Sequence, residues 1–220
     1  MDLFSSQAET TLPTPSPFSV VKSISDNEDE ILLGIMKLHN NGDPFCADVT
    51  YSVGGLYRNA VPAPALKFDI APAAPDVKQA DVCALPLAER SIKSVIFDPP
   101  FMFNPHGSAL TKNAAAGRYT MFPKWDDLER VYKGALGEFC RVLKPKGIVA
   151  FKCQDYTDAK TTMTHCLLYQ WATERGFYAK DIFIRYRNNG PAYNPALRQK
   201  HARKFHSYWW VFENGMAGRG

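Results

Sequence analysis

The chain has 220 residues, 45% of them hydrophobic and 13% aromatic, and carries a formal net charge of +4. That is enough apolar material for one sizeable core, which excludes a largely disordered or collagen-like chain. Its five cysteines (Cys46, Cys83, Cys140, Cys153, Cys166) are scattered with no C-x-x-C pair, so neither a disulfide framework nor a zinc ribbon is indicated, and a reducing, cytoplasmic setting is expected.

Residues 1–24 are rich in Ser, Thr and Pro without periodicity and read as a flexible leader. They lack the basic n-region and apolar h-region of a signal peptide. No apolar run approaches the roughly 20 residues of a membrane span. Residues 25–214 read as a single domain and 215–220 as a tail. From Ser25, SDNEDEILLGIMKLHNNG combines cap-type residues, first-turn acids, apolar Ile31, Leu32, Ile35 and Leu38, and an Asn-Asn-Gly stop, which predicts a helix. Apolar runs at 45–50, 66–70 and 94–98 predict buried strands, the last ending at Pro99-Pro100.

A long amphipathic helix is expected at about 125–143, on Leu128, Val131, Tyr132, Ala135, Leu136, Phe139 and Val142, then a Lys-Pro-Lys-Gly turn and a strand at 148–152. A further helix at about 160–175 leads to a strand at 181–187, and the chain closes with a strand at 207–213. Strand and helix alternate as in parallel βαβ units. No helical pattern separates the last two strands, so the final one is expected to run antiparallel. Its aromatics Tyr208, Trp209, Trp210 and Phe212 suit core packing better than base stacking. An open parallel sheet binds ligands at the carboxyl ends of its strands, and those ends are where chemistry is sought.

The most informative text there is Asp98-Pro99-Pro100-Phe101, directly after the strand SVIF. Two prolines bring no N–H groups and hold the backbone extended, so a carboxylate, a carbonyl and an aromatic face are presented together. Those three groups match an exocyclic amine on a flat nucleobase. Asp-Pro and Pro-Pro are also common strand-ending punctuation.

This tetrapeptide resembles the Asp/Asn/Ser-Pro-Pro-aromatic motif of S-adenosylmethionine-dependent methyltransferases acting on exocyclic amino nitrogens. With DVTYSVGGLY, KFDIAP, ADVCALPL, RVLKPKGIVAFKCQDY and HARKFHSYWWVF, the chain resembles small adenine-N6 DNA methyltransferases of phages and prophages over roughly residues 31–212. The resemblance implies an α/β, Rossmann-like class I methyltransferase fold: a mostly parallel seven-stranded sheet with an antiparallel last strand and helices on both faces. It implies S-adenosylmethionine as cofactor. Asp48, Thr50, Gly54 and Gly55 match the first cofactor loop, although Tyr51 and Ser52 depart from its usual D-x-x-x-G-x-G form. Asp69 and Ile70 match the ribose-binding position, and Asp81 and Val82 the adenine-binding one. Asp98 and the Pro99 carbonyl, with Pro100 shaping the turn, would accept from the target amine while Phe101 stacks on the extruded base.

DNA is the implied partner, as a duplex with a flipped adenine or as a single strand, with relaxed sequence specificity because no room exists for a target-recognition domain. A homodimer or a partner subunit is a further option. RNA adenine N6 and DNA cytosine N4 stay open, since the same mechanics serve any exocyclic amine. So does another class of role, a catalytically silent subunit that binds nucleic acid. Arg198, His201, Arg203, Lys204 and His206, before the last strand, read as phosphate contacts, as does Lys152 in FKCQDY. A solvated basic face is the plainer alternative, and His201 with His206 alone is too weak a signal for a metal. The segment 102–124, with Gly107, Gly117 and small residues at 114–116, has the length and composition of a lid that orders on substrate, disorder without function being the alternative.

Overall fold

The computed structural model describes residues 20–103, 122–157, 160–188 and 200–215. It contains an eight-stranded sheet of order β1-β9-β10-β6-β5-β2-β3-β4, formed by β1 (Ile24–Ser25), β2 (Ala47–Asp48), β3 (Leu66–Asp69), β4 (Lys78–Gln79), β5 (Ile92–Phe97), β6 (Leu143–Cys153), β9 (Phe177–Tyr186) and β10 (His206–Asn214). A two-stranded ribbon, β7 (Tyr156–Thr157) and β8 (Thr161–Thr162), stands apart from it. Only β10 runs antiparallel, against β6 on one side and β9 on the other; the other pairings are parallel.

Among the described residues three α-helices cover the sheet. Helix α1 (Glu28–His39) starts where the Asn27 side chain accepts the Asp29 amide at 2.9 Å, with acids in its first turn. It buries Ile31, Leu32, Ile35 and Met36. Helices α2 (Trp125–Val142) and α3 (Thr164–Glu174) cover the opposite face. Strand alternation separates the two cores. Ile96, Ile148, Ala150, Trp209 and Val211 pack with α1, whereas Val95, Phe97, Val149, Phe151 and Phe212 pack with Tyr132, Leu136 and Phe139 of α2 and with Leu168 of α3. Trp209 and Phe212 are fully buried, so the final strand is a core strand, as its aromatics suggest.

Four expectations change. The sheet has eight strands rather than seven, because Ile24–Ser25 adds to its edge beside β9. Ile24, assigned to the leader, therefore belongs to the sheet, while residues 1–19 lie outside the described residues. The Lys-Pro-Lys-Gly segment is a kink inside one continuous strand: Lys146 adopts φ +62°, and a Cβ on Gly147 would come within 2.9 Å of two backbone carbonyls. Helix α3 starts at Thr164 rather than near 160, because β-branched Thr161 and Thr162 pair with Tyr156 and Thr157 instead.

Candidate functional site

Strands β5, β2, β3 and β4 are sheet neighbours in that order, and each ends at or near an aspartate. Asp98 follows β5, Asp48 closes β2, Asp69 closes β3, and Asp81 lies two residues past β4. Parallel alignment thus sets four carboxylates in a row along the carboxyl edge of the sheet.

The row is not uniform. Asp48 is buried and accepts from the Thr50 amide (2.7 Å), the Thr50 hydroxyl (3.3 Å) and the Tyr57 hydroxyl (2.7 Å). Burial pushes its carboxyl up to about 7; these hydrogen bonds oppose the rise and the nearby Asp98 charge adds to it. Thr50 bridges the two acids, because its hydroxyl also accepts the Asp98 amide at 2.9 Å. Thr50, expected at the cofactor, thus commits its hydroxyl to the protein. At the other end, Asp69 accepts the Ser52 and Ala71 amides, both at 2.8 Å, and Asp81 accepts the Cys83 amide at 2.8 Å. Asp69 is half-buried, Asp81 and Ile70 are exposed, and Val82 is buried.

The first loop folds over this edge. Ser52 (φ +52°) and Gly54 (φ +68°) are left-handed, and a Cβ on Gly54 would strike the Tyr51 hydroxyl at 2.7 Å, so only glycine fits. Tyr51 stacks on Tyr57 with ring centres 5.3 Å apart. Gly55 faces open space: a Cβ there would meet no atom within 4 Å. Backbone beside open space, next to a solvent-accessible carboxylate at each of the two following strands, suits a nucleoside-bearing cofactor.

The Asp98-Pro99-Pro100-Phe101 turn is braced from α2, where the Tyr132 hydroxyl donates to the Pro100 carbonyl at 3.2 Å and leaves that of Pro99 to other donors. Phe101 is half-buried. Phe103 anchors the segment, its ring 4.2 Å from that of Tyr156 and 5.5 Å from that of Trp125. The body of the expected lid, residues 104–121, lies outside the described residues.

Asp98 has a cationic neighbour that corrects one expectation. Lys152, expected to meet phosphates, is 8% exposed; its Nζ lies 3.3 Å from Asp98 Oδ2 and 2.9 Å from Glu28 Oε1, and 5.0 Å above the Trp209 ring. A buried ammonium held between two carboxylates has no reach to a backbone phosphate. Burial works against the charge of Lys152, yet the two acids outweigh it and hold its pKa above the ordinary value. Burial and the Glu28 charge raise Asp98, and Lys152 opposes them.

Among the other expected contacts, Arg198 lies outside the described residues. His201 is exposed, Arg203, Lys204 and His206 are half-buried, and His206 Nε2 is 2.9 Å from the Tyr208 hydroxyl. They precede or open β10, whose start pairs with the end of β6, so this basic segment lies at the same edge as Asp98. Sequence reading missed Glu28, Tyr57 and Tyr132, whose roles come from contacts between distant parts of the chain. The structure also holds a buried Asp155, 2.7 Å from His165 Nδ1 and beside Tyr208. Among the described residues no group of acids, histidines and cysteines has metal-site geometry, and no helix is long and apolar enough to cross a membrane.

No family model matches the chain, and no curated protein sequence does. Solved structures do. A candidate sarcosine dimethylglycine methyltransferase from Galdieria sulphuraria superposes with a TM-score of 0.52 at 13% identity, over 85% of each chain. A candidate DNA modification methylase from Thermus thermophilus, crystallised with S-adenosyl-L-methionine, gives 0.45 at 16% identity over 64% of this chain. The match spans 56% of that methylase. A candidate RNA methyltransferase from Pyrococcus horikoshii gives 0.47 at 13% identity, over 84% of this chain and 82% of its own. The sheet order, the antiparallel β10 and the first of these likenesses define the fold as the Rossmann-like class I methyltransferase fold.

Proposed function

We propose that the chain is an S-adenosylmethionine-dependent methyltransferase acting on the exocyclic N6 of adenine in DNA. One observation carries the reading: the Asp98-Pro99-Pro100-Phe101 turn ends a central strand of a methyltransferase fold, in line with carboxylates at the three neighbouring strand ends.

The residues divide the work along that row. Asp69 takes the ribose hydroxyls, Asp81 and the Val82 amide take the cofactor's adenine, and the loop from Asp48 through Gly54 and Gly55 admits the methionine end. When bound, S-adenosylmethionine supplies a methyl group on a sulfonium. Asp98 and the Pro99 carbonyl accept from the target amine. An aromatic amine is a weak nucleophile because its lone pair is delocalised into the ring, and two fixed acceptors favour the pyramidal nitrogen that attacks. Acceptors set in place where positive charge develops, together with alignment of nitrogen and methyl, supply the rate. Stacking on Phe101 returns roughly 1–3 kcal/mol of the few kcal/mol spent in extruding the base. His201, Arg203, Lys204 and His206 meet the phosphates beside it.

The test is to incubate the protein with S-adenosylmethionine and unmethylated DNA or RNA, digest to nucleosides and identify products by mass spectrometry. N6-methyldeoxyadenosine, absent with Asp98→Ala, is the expected result. A methylated deoxycytidine or ribonucleoside would replace the substrate and keep the turn's role; no product alongside retained DNA binding would leave a silent nucleic-acid-binding subunit.

A further inference from the structure

Behind Asp98 stands a row of alternating charge drawn from four elements. Asp98 after β5 faces Lys152 on β6 (3.3 Å), Lys152 faces Glu28 at the start of α1 (2.9 Å), and Glu28 faces Arg185 Nε on β9 (3.4 Å). The Trp209 indole of β10 donates to Glu28 Oε1 at 2.6 Å and lays its ring against Lys152. Side chains of Lys152, Asp98, Arg185 and Glu28 are 10%, 20%, 22% and 24% exposed. Burying ions costs several kcal/mol each, and apolar residues of similar volume commonly serve stability as well, so the row calls for a reason other than stability.

We infer that Lys152 and Glu28 are positioning residues that hold Asp98 as an ionised, oriented and uncancelled acceptor for the target amine. This rests on the reading of Asp98 given above. A buried carboxyl left alone tends to the neutral form, in which one oxygen becomes a donor. Burial still holds the Asp98 pKa above its ordinary value, but Lys152 opposes that rise and, by engaging Oδ2, leaves Oδ1 to the amine. A single lysine would also cancel the charge that the developing ammonium needs. Glu28 restores it: the ammonium sits nearer Glu28 than Asp98, and the trio carries a net negative charge. Arg185 balances Glu28 from the far side, away from the reacting end. Among the described residues, the other titratable groups coupled to Asp98 are Asp48 from β2, Tyr57 from the loop after it and Tyr132 from α2, and none of these is a cation.

The consequence is an opposite pair of pH shifts, which a merely structural role does not produce. Removing Lys152 takes away the influence that lowers the Asp98 pKa; removing Glu28 takes away one that raises it. At saturating cofactor, Lys152→Met should move the acid limb of the kcat profile to higher pH by about one unit and Glu28→Gln should move it to lower pH by a similar amount. In both, kcat falls about tenfold while the KM for cofactor stays within about twofold, and Lys152→Arg recovers part of the loss.

Carboxyl 13C NMR of the full chain, with the Asp98 resonance assigned by Asp98→Asn, reads the same displacements without catalysis. It also decides the matter if Lys152→Met folds poorly, because Glu28→Gln is nearly isosteric. Limbs and resonances that titrate as in the wild type, or that move in one direction in both variants, would overturn the inference. A wild-type protein that methylates nothing would overturn the functional reading instead, with the NMR titration still deciding the charge row.

Discussion

The two halves of the acidic row are built in opposite ways. Under β5 and β2, Asp98 and Asp48 are enclosed and engaged by other side chains, Lys152 on the one and Thr50 and Tyr57 on the other, with the Thr50 amide also on Asp48. Under β3 and β4, Asp69 is half-buried and Asp81 exposed, and they accept backbone amides from Ser52, Ala71 and Cys83. A carboxylate held by backbone amides at the open edge keeps lone pairs for a ligand. One enclosed by a lysine and a second acid has its charge state set by the protein. The open half is suited to holding a polar ligand, and the enclosed half to tuning an acceptor.

The largest effect should come from the enclosed half. Asp98→Ala is expected to lower methyl transfer by about 10²–10³-fold, the scale of losing one preorganised charge-stabilising group, with cofactor affinity by calorimetry nearly unchanged. Loss of both together would erase the distinction between the halves. Asp69→Ala should do the reverse, weakening cofactor binding by about 10- to 100-fold, or roughly 1.4–2.7 kcal/mol, while kcat at saturating cofactor survives. An unaltered dissociation constant would remove Asp69 from the site.

These assignments differ in how far sequence alone could reach them. Asp69 and Asp98 were legible because each lies at the end of an apolar run, whereas Asp48 and Asp81 were picked out by the resemblance of their segments to methyltransferase motifs. Helix α2 was legible from its 3.6-residue spacing, and β10 from the absence of a helical pattern before it. Strands β1 and β4, two residues each, carry no periodicity to read. The place of Lys152 was hidden for a related reason. Its partner Glu28 looks in sequence like an ordinary first-turn acid of α1, and only the crossing of α1 over β6 and β10 joins them. Composition marked Lys152 as a cation; packing made it a buried one.

The basic segment before β10 tests whether nucleic acid meets the enclosed half. Neutralising Arg203 and Lys204 together should flatten the slope of log affinity for duplex DNA against log salt by about 1.8, near 0.9 for each phosphate left without its cation. A slope identical to that of the wild type would move the interface elsewhere on the surface.

The smallest effect expected separates Asp48 from its open counterparts through stability. Its folded-state pKa, about 7, lies above the roughly 3.9 of an unfolded aspartate. Between those values the folded state binds the extra proton, so this group's contribution to stability is greatest at low pH and is lost as pH rises through about 7. Asp48→Asn removes that dependence while keeping an oxygen for the Thr50 amide, at the cost of turning the Tyr57 hydroxyl round. Relative to the wild type, the variant should therefore gain on the order of 1 kcal/mol between pH 5 and pH 8, seen as converging or crossing melting temperatures. A pH dependence parallel to that of the wild type would mean that burial under β2 does not set the charge of Asp48, and the case for the enclosed half would then rest on Asp98 alone.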